Sequence, residues 1–545
     1  MDTHESFKTL VSSGFPAGMV QFNRTLLIMN PSLTKDISPR SLFAYSVFSL
    51  LLVLTLMFHA TRGHVAYTMD SITYRDATLN FLSGHPMEVT NVASEIPERI
   101  PSLQWPPAYP ALWAIVELIT GLNIDQVPII LTPALLSITT LAMFWICLTL
   151  TGRPAVASAV AVSSMFTPSS MAVFGHAWSE TLFIPLVLLA FGFLLKYKQT
   201  GRWVFWFGAA TCIGIANWTR YTGVVFFPLL CLSVFLIPNG TYLKRILQAA
   251  GALFASLLIT APLWLHNWHI SGNISGSVRG GAVIDVFDRL SMDIETVQRL
   301  FEYSLFAFDT MISAHLAIPM VGAVLYLIFK AVRRSGFKLL LPLEIWLPLL
   351  WFVINLAFLF YARVVQKGID MDLRMLAVPI PFFFMAMSPF LNTALSNRKL
   401  NLGVFVSLML TLFIYTGWQE GQRVSKNYLS GKAPRWRADF GLSYRDLTVA
   451  SSETRALKES IAFLKPSSLV LTDYRALYIR YLTGAKVYSV YGEKDCKSWL
   501  ENHPEGVLVI GLKDSVAWAS RCVEAKPRWN LFQVTGRAAP SMNVE

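Results

Sequence analysis

Apolar runs long enough to enter a hydrocarbon core of ~30 Å recur along most of this chain, and nothing else constrains its fold as strongly. They fall at about 41–60, 108–122, 127–150, 155–176, 177–196, 203–219, 221–238, 246–266, 312–331, 339–361, 375–391 and 402–418. A soluble globular protein carries roughly 25% charged residues, whereas here the charged share is 14% against 54% hydrophobic. A soluble fold is therefore excluded. The net charge of +12 does not signal nucleic acid, because the Lys and Arg lie in short loops between apolar runs, as in the positive-inside pattern.

Those loops give the sidedness. Lys196, Lys198 and Arg202, then Lys244 with Arg245, Lys330 with Arg333 and Arg334, and Arg398 with Lys399 are expected in the cytoplasm. The polar segment 1–40 joins them, so that 41–60 is a retained anchor and not a cleaved signal. Loops 61–107 and 267–311, and everything after 418, are then non-cytoplasmic. Twelve crossings would return the C-terminus to the wrong side. The Phe166-Thr167-Pro168-Ser169-Ser170 break suggests that 155–176 is two short crossings, about 13 in all. The fold class expected is thus an α-helical polytopic membrane protein, with a transmembrane part over 41–420.

After residue 421 the composition changes. Ser468–Thr472 and Gly506–Ile510 read as buried strands, with helical patterns at 453–464 and 493–501. A small α/β domain over 421–545, on the non-cytoplasmic side, is expected. Cys147, Cys212 and Cys231 sit in apolar runs as small hydrophobes. Cys496 and Cys522 are either a disulfide or two free thiols.

Chemistry concentrates in the first outer loop. Asp70 opens a helical pattern, Ile72, Ala77, Leu79, Phe81 and Leu82 give it an apolar side, and Gly84 with Pro86 closes it. A short amphipathic helix along the membrane surface is expected, with Asp70 as N-cap and Tyr74 on its face one turn later. A stiff Gln104-Trp105-Pro106-Pro107-Ala108-Tyr109-Pro110 stretch feeds the second run. Further along, Ser179-Glu180-Thr181-Leu182-Phe183, Trp218-Thr219-Arg220-Tyr221-Thr222-Gly223, His266-Asn267-Trp268 followed by Gly272, and Asp372-Leu373-Arg374 through Pro379 all fall at the outer ends of spans.

In order and sidedness these segments resemble the GT-C superfamily of membrane glycosyltransferases, over about 60–420. Within it they are most similar to the protein O-mannosyltransferase and lipid A aminoarabinose transferase group (glycosyltransferase family 39-like). The resemblance implies transfer of a sugar from a polyprenyl-phosphate carrier to an acceptor hydroxyl of a protein, lipid or glycan, at the outer leaflet. It implies Asp70 as general base, with Glu180 as the second acid. A carboxylate near lipid is partly desolvated, which raises its basicity.

Arg75, Arg220, Arg279 and Arg374 are candidates to hold the phosphate, since Arg can make two parallel bonds to it. Tyr74, Tyr109 and His176 are candidate sugar- or carrier-binding groups. Two positions depart from the group's pattern: Ser71 stands where many relatives have an acid, and His266 where they often have Arg. No cofactor is required by this chemistry, and a divalent metal is left open. The expected location is a prokaryotic plasma (inner) membrane, with the site facing outward. The competing reading is a transporter or flippase of lipid-linked sugars, whose charges belong near the bilayer midplane.

Overall fold

A computed structural model of the chain describes residues 38–61, 63, 65–91, 98–276, 343–365, 373–396 and 418, together with four strands between 469 and 533. The expected span 312–331, most of 402–418, Arg279, Cys496, Cys522 and the helical patterns at 453–464 and 493–501 lie outside these residues. The elements at the start of the chain are helix α1 (Pro39–Thr61), helix α2 (Met69–Leu82) and a hairpin of strands β1 (Glu88–Asn91) and β2 (Glu98–Pro101). Helices α3 (Ala108–Thr120), α4 (Val127–Thr151), α5 (Pro154–Met165), α6 (Pro168–Phe174), α7 (Glu180–Thr200) and α8 (Trp203–Thr219) follow. A 3-10 turn (Tyr221–Val225) then leads into α9 (Phe226–Leu236) and α10 (Tyr242–Ser271). Past residue 342 come α11 (Leu343–Val365), α12 (Leu373–Leu376) and α13 (Ile380–Ser396).

Among the described helices α1, α4, α7 and α10 are long and apolar enough to cross a membrane, and the bent pair α5–α6 makes a fifth such span. The bend of 67° falls where the Thr-Pro pair predicted it. Pro168 has no N–H to continue the α5 ladder. Thr167 instead restarts a helix, its Oγ1 accepting from the Ser170 backbone N–H at 3.3 Å.

The pair is nevertheless one span and not two crossings. At one end, Thr151 and Arg153 adjoin the Asn392 amide, which donates to the Thr151 carbonyl at 3.0 Å. At the other, residues 175–177 bracket Ala66 just beyond α1, through bonds of 2.8 and 3.1 Å. The parity problem is resolved by α3 instead. Its 13 residues reach only about 20 Å, short of the core, and both its start and the chain just beyond it are tied to α2. Thr78 donates to the Pro110 carbonyl at 3.2 Å. Asp125, just beyond α3, accepts a two-bond ion pair from Arg75 at 2.7 and 3.1 Å. Helix α3 therefore enters and returns on one side, against the expectation of a full span at 108–122.

With α3 set aside, the remaining spans from α1 to α10 alternate between two ends. Lys196, Lys198, Arg202, Lys244 and Arg245 gather at one of them, where Tyr197 donates to the Gln248 Oε1 at 2.5 Å. Asp70, Glu180 and Arg220 gather at the opposite end. Large aromatic rings fill the bundle between: Phe191, Phe226, Trp351 and Phe382 meet with centroids 5.2–5.4 Å apart, in tilted and edge-on arrangements that aromatic pairs favour.

Near the C-terminus the strands are β3 (Leu469–Thr472), β4 (Lys486–Ser489), β5 (Gly506–Ile510) and β6 (Trp529–Gln533), all parallel, in the order β4-β3-β5-β6. Parallel neighbours require crossover connections. The consecutive burial of Val470, Leu471 and Thr472 is that of a strand covered on both faces. Strands β3 and β5 stand where the sequence predicted them. Strands β4 and β6 were not foreseen, because Lys486, Asn530 and Gln533 interrupt their apolar pattern.

Candidate active site

The site is assembled from four separate stretches of chain that meet at the end of the bundle opposite the basic loops. The first is the opening turn of α2. Its N-cap is Thr68 and not Asp70: Thr68 and Ser71 form a reciprocal capping box, each side chain bonding the other's backbone N–H. The Asp70 carboxylate, one residue into the helix, is consequently not consumed by capping. Ser71, Ile72, Thr73 and Tyr74 are all buried, so protein encloses the first turn of α2.

The second stretch runs from His176 to Glu180 and leads into α7. Trp178 donates to the Thr68 hydroxyl at 2.7 Å, which fixes this turn against the start of α2. His176 stacks on Trp178, with ring centroids 4.3 Å apart. The third is the Arg220 turn, where the chain leaves α8 and enters the 3-10 turn. Gly223 is required there by packing: a Cβ would come within 2.8 Å of the Asn217 backbone. The fourth is α12, which carries Arg374 above the Trp178 ring, 5.2 Å from its centroid.

These stretches bring two carboxylates and two guanidinium groups into one network. Arg374 bonds and ion-pairs with Asp70, and its Nε lies 3.7 Å from Glu180 Oε1. Arg220 pairs with the same Glu180 oxygen at 2.5 Å. Ser179 links the groups, with the Tyr74 hydroxyl at 2.9 Å, Arg220 donating to it at 3.2 Å and Glu180 Oε2 accepting from it at 3.4 Å. The Glu180 side chain is 2% exposed, Asp70 16%, Arg374 12% and Arg220 20%, so Glu180 is the buried hub and the other three face the opening.

Burial pushes the Asp70 carboxyl up, but Arg374, through its charge and its hydrogen bond, together with the charge of Arg220 and a bond from Trp105, outweighs that. The net position lies below the ordinary carboxylate value, which corrects the expectation of raised basicity. Burial, with the charges of Asp70 and Glu180, pushes the Tyr74 phenol up. It stays neutral and exchanges a hydrogen bond with Ser179.

The network lines a cavity of about 410 Å³. Asp70, Tyr74, Glu180, Arg220 and Arg374 all contribute to it, with Gln104 and Trp105 from the stiff stretch before α3. Its other wall is apolar: Phe183 of α7, Val224, and Phe358, Leu359 and Ala362 of α11. Two cations beside an ionisable carboxylate, facing an apolar wall, suit an anionic headgroup attached to a hydrophobic body. Among the described residues no three His, Cys, Asp or Glu side chains converge as a metal site.

Of the predicted site residues, Asp70, Tyr74, Glu180, Arg220 and Arg374 are brought together. Arg75, Tyr109 and His176 are not part of the lining. Arg75 is committed to Asp125 and staples α2 to the start of α4. Tyr109 is fully buried beneath Tyr74, ring to ring at 5.3 Å. His176 is buried behind Trp178, its Nδ1 2.6 Å from the Ala172 carbonyl. Asn267, in the stretch where His266 replaces Arg, donates to the Tyr221 hydroxyl and the Ile274 carbonyl, both at 3.0 Å, and so anchors the Arg220 turn.

Among the residues that line the cavity without having been candidate site residues are Ser179, Tyr221, Trp105 and Asn355. Asn355 carried a signal, being a polar side chain in the middle of an apolar span, where such residues are costly and often functional.

No protein-family model matches the sequence, and no curated protein matches it. The fold does match solved structures. A crystal structure of ArnT from Cupriavidus metallidurans bound to undecaprenyl phosphate aligns with a TM-score of 0.51 at 12% identity, covering 90% of each chain. The apo form of the same ArnT aligns with a TM-score of 0.52 at 11% identity, again over 90% of each chain. The archaeal oligosaccharyltransferase AglB from Archaeoglobus fulgidus, in complex with an inhibitory peptide and a dolichol-phosphate, aligns more loosely. Its TM-score is 0.46 at 10% identity, over 90% of this chain and 69% of that one. The fold is thus that of ArnT.

Proposed function

We propose that this protein is a glycosyltransferase that moves a sugar from a polyprenyl-phosphate carrier to an acceptor hydroxyl at the non-cytoplasmic leaflet of the membrane. The observation that carries the reading is the meeting of Asp70, Glu180, Arg220 and Arg374 on one cavity with an apolar opposite wall. The ArnT structure with the same fold is bound to undecaprenyl phosphate, a ligand of the chemistry that these walls suit.

In this reading the donor phosphate lies between Arg220 and Arg374, and its isoprenyl tail leaves along the apolar wall. Arg374 turns from Asp70 to the incoming phosphate. Asp70 then loses the partner that held its carboxyl down and remains in a partly buried site, where a carboxylate is a stronger base. The acceptor oxygen forms a bond to the anomeric carbon and gives its proton to Asp70. The bond from that carbon to the phosphate oxygen breaks, and the electron pair leaves with the polyprenyl phosphate, whose charge Arg220 and Arg374 stabilise. Glu180 holds the two arginines at this spacing. With the basic loops on the cytoplasmic side, the site opens outward.

Lipid extracts from cells with and without the protein test the reading. Mass spectrometry is expected to find a polyprenyl-phosphate sugar accumulating in its absence, and wild-type protein but not Asp70→Asn to clear it. Unchanged carrier-linked sugars in the absence of the protein would contradict the reaction class.

A further inference from the structure

The wall of the cavity formed by α11 is a single helical stripe, Asn355, Phe358, Leu359 and Ala362, at the i, i+3, i+4, i+7 spacing of one face. Three members are apolar and one is not. Asn355 lies seven residues before Ala362, about 10 Å along the helix, at the end of the stripe furthest from α12. One turn earlier in α11, Trp351 donates to the Ser233 hydroxyl at 2.9 Å and packs against Phe191, Phe226 and Phe382. Asn355 is therefore the polar member of the α11 stripe, in a cavity that Arg220 and Arg374 also line.

Asn355 is 4% exposed, and its Oδ1 takes no hydrogen bond. An unmade bond at such a buried amide is costly, and native proteins leave few of them. Packing does not account for the residue, because Leu fills a similar volume without that cost. The amide is neutral and has apolar neighbours, so the group that satisfies it is uncharged; a carboxylate or phosphate brought there would be buried against Phe358 and Leu359.

We infer that Asn355 reads the transferred sugar: its amide hydrogen-bonds an uncharged ring hydroxyl of a monosaccharide whose phosphate is held by Arg220 and Arg374. This deepens the proposed function and rests on it. Asn355 is a specificity-determining residue for the donor sugar, selecting neutral sugars over those acidic at that position.

Binding measurements on the purified full-length protein in nanodiscs test this. The probes are bare undecaprenyl phosphate, and undecaprenyl phosphate carrying mannose, glucose, galactose, N-acetylglucosamine or glucuronic acid. The expected result is that a neutral-sugar carrier binds about five- to tenfold more tightly than the bare carrier, and the glucuronic acid carrier does not. Asn355→Leu is expected to erase that increment while keeping bare-carrier affinity within about twofold, and to raise or leave unchanged the melting temperature of the empty protein. The inference is overturned if Asn355→Leu weakens bare and sugar-bearing carriers alike, if it lowers the melting temperature, or if the sugar adds nothing to wild-type affinity. Failure of bare undecaprenyl phosphate to bind wild-type protein would instead remove the proposed function, and this inference with it.

Discussion

Helix α2 carries two arginine–carboxylate contacts on different faces, and they show how the same chemistry serves two ends. On one face Arg75 grips Asp125 with two bonds, and the side chains remain 22% and 38% exposed. The pair has no place on the cavity and ties α2 to the start of α4. On the other face Asp70 meets Arg374 at the cavity wall, with Glu180 and Arg220 completing a network that is closed off from solvent at its hub. Exposure and connectivity distinguish the two regions, not residue type. An isolated, half-exposed pair is worth little to stability. A buried hub shared by two arginines is costly to break.

That contrast can be broken by substitution. The largest effect on folding is expected for Glu180→Ala, which strands Arg220 and Arg374 without their shared carboxylate; a loss of about 3–5 kcal/mol should appear as a lower melting temperature. Next, Arg220→Lys removes the planar fork but keeps the charge. Losing one charge-assisted bond of about 1.5–3 kcal/mol should weaken binding of undecaprenyl phosphate roughly 10- to 100-fold, read by titration in nanodiscs. Arg75→Ala should cost at most about 1 kcal/mol, with transfer activity nearly unchanged; a loss matching that of Glu180→Ala would erase the distinction.

The smallest effect concerns pH. Because the folded Asp70 carboxyl lies below its ordinary value of 3.8, the unfolded chain takes up its proton first as pH falls. The stabilisation from this group is thus complete above about pH 5 and lost as pH drops through the folded value. The melting-temperature difference between wild type and Asp70→Asn should be flat from pH 5 to 8 and shrink below pH 4. A difference that grew with acid would reverse the sign assigned to the Arg374 contact.

Much of this arrangement was legible in the sequence, for physical reasons that also explain the rest. Glu180, Arg220 and Arg374 stand out because an ionisable group at the edge of an apolar span is expensive unless paired or functional. Their order along the chain carried the resemblance to GT-C enzymes, and the fold is similar to that of ArnT. The pairing of Arg75 was invisible, since Asp125 lies 50 residues away and sequence spacing says nothing of such a contact. Tyr109 and His176 have the composition of binding residues, yet lie one layer behind Tyr74 and Trp178. Composition does not report depth.

Helix α3 misled for a related reason. Its 13 residues are as apolar as a span, and only the ties from α2 to Pro110 and Asp125 reveal that it returns. The cap of α2 was misplaced by two residues because Thr68 and Asp70 are both good caps, and the reciprocal bond with Ser71 decides between them. That shift matters chemically, since it leaves the Asp70 carboxylate free for Arg374.

The most direct test sets the two faces of α2 side by side. Transfer from a polyprenyl-phosphate sugar should be measured in membranes containing wild type, Asp70→Asn or Asp125→Asn at matched expression. The account predicts a loss of about 10²- to 10⁴-fold for Asp70→Asn, the usual range for removing a general base, and a change of less than about fivefold for Asp125→Asn. Comparable activity in the two variants would contradict it.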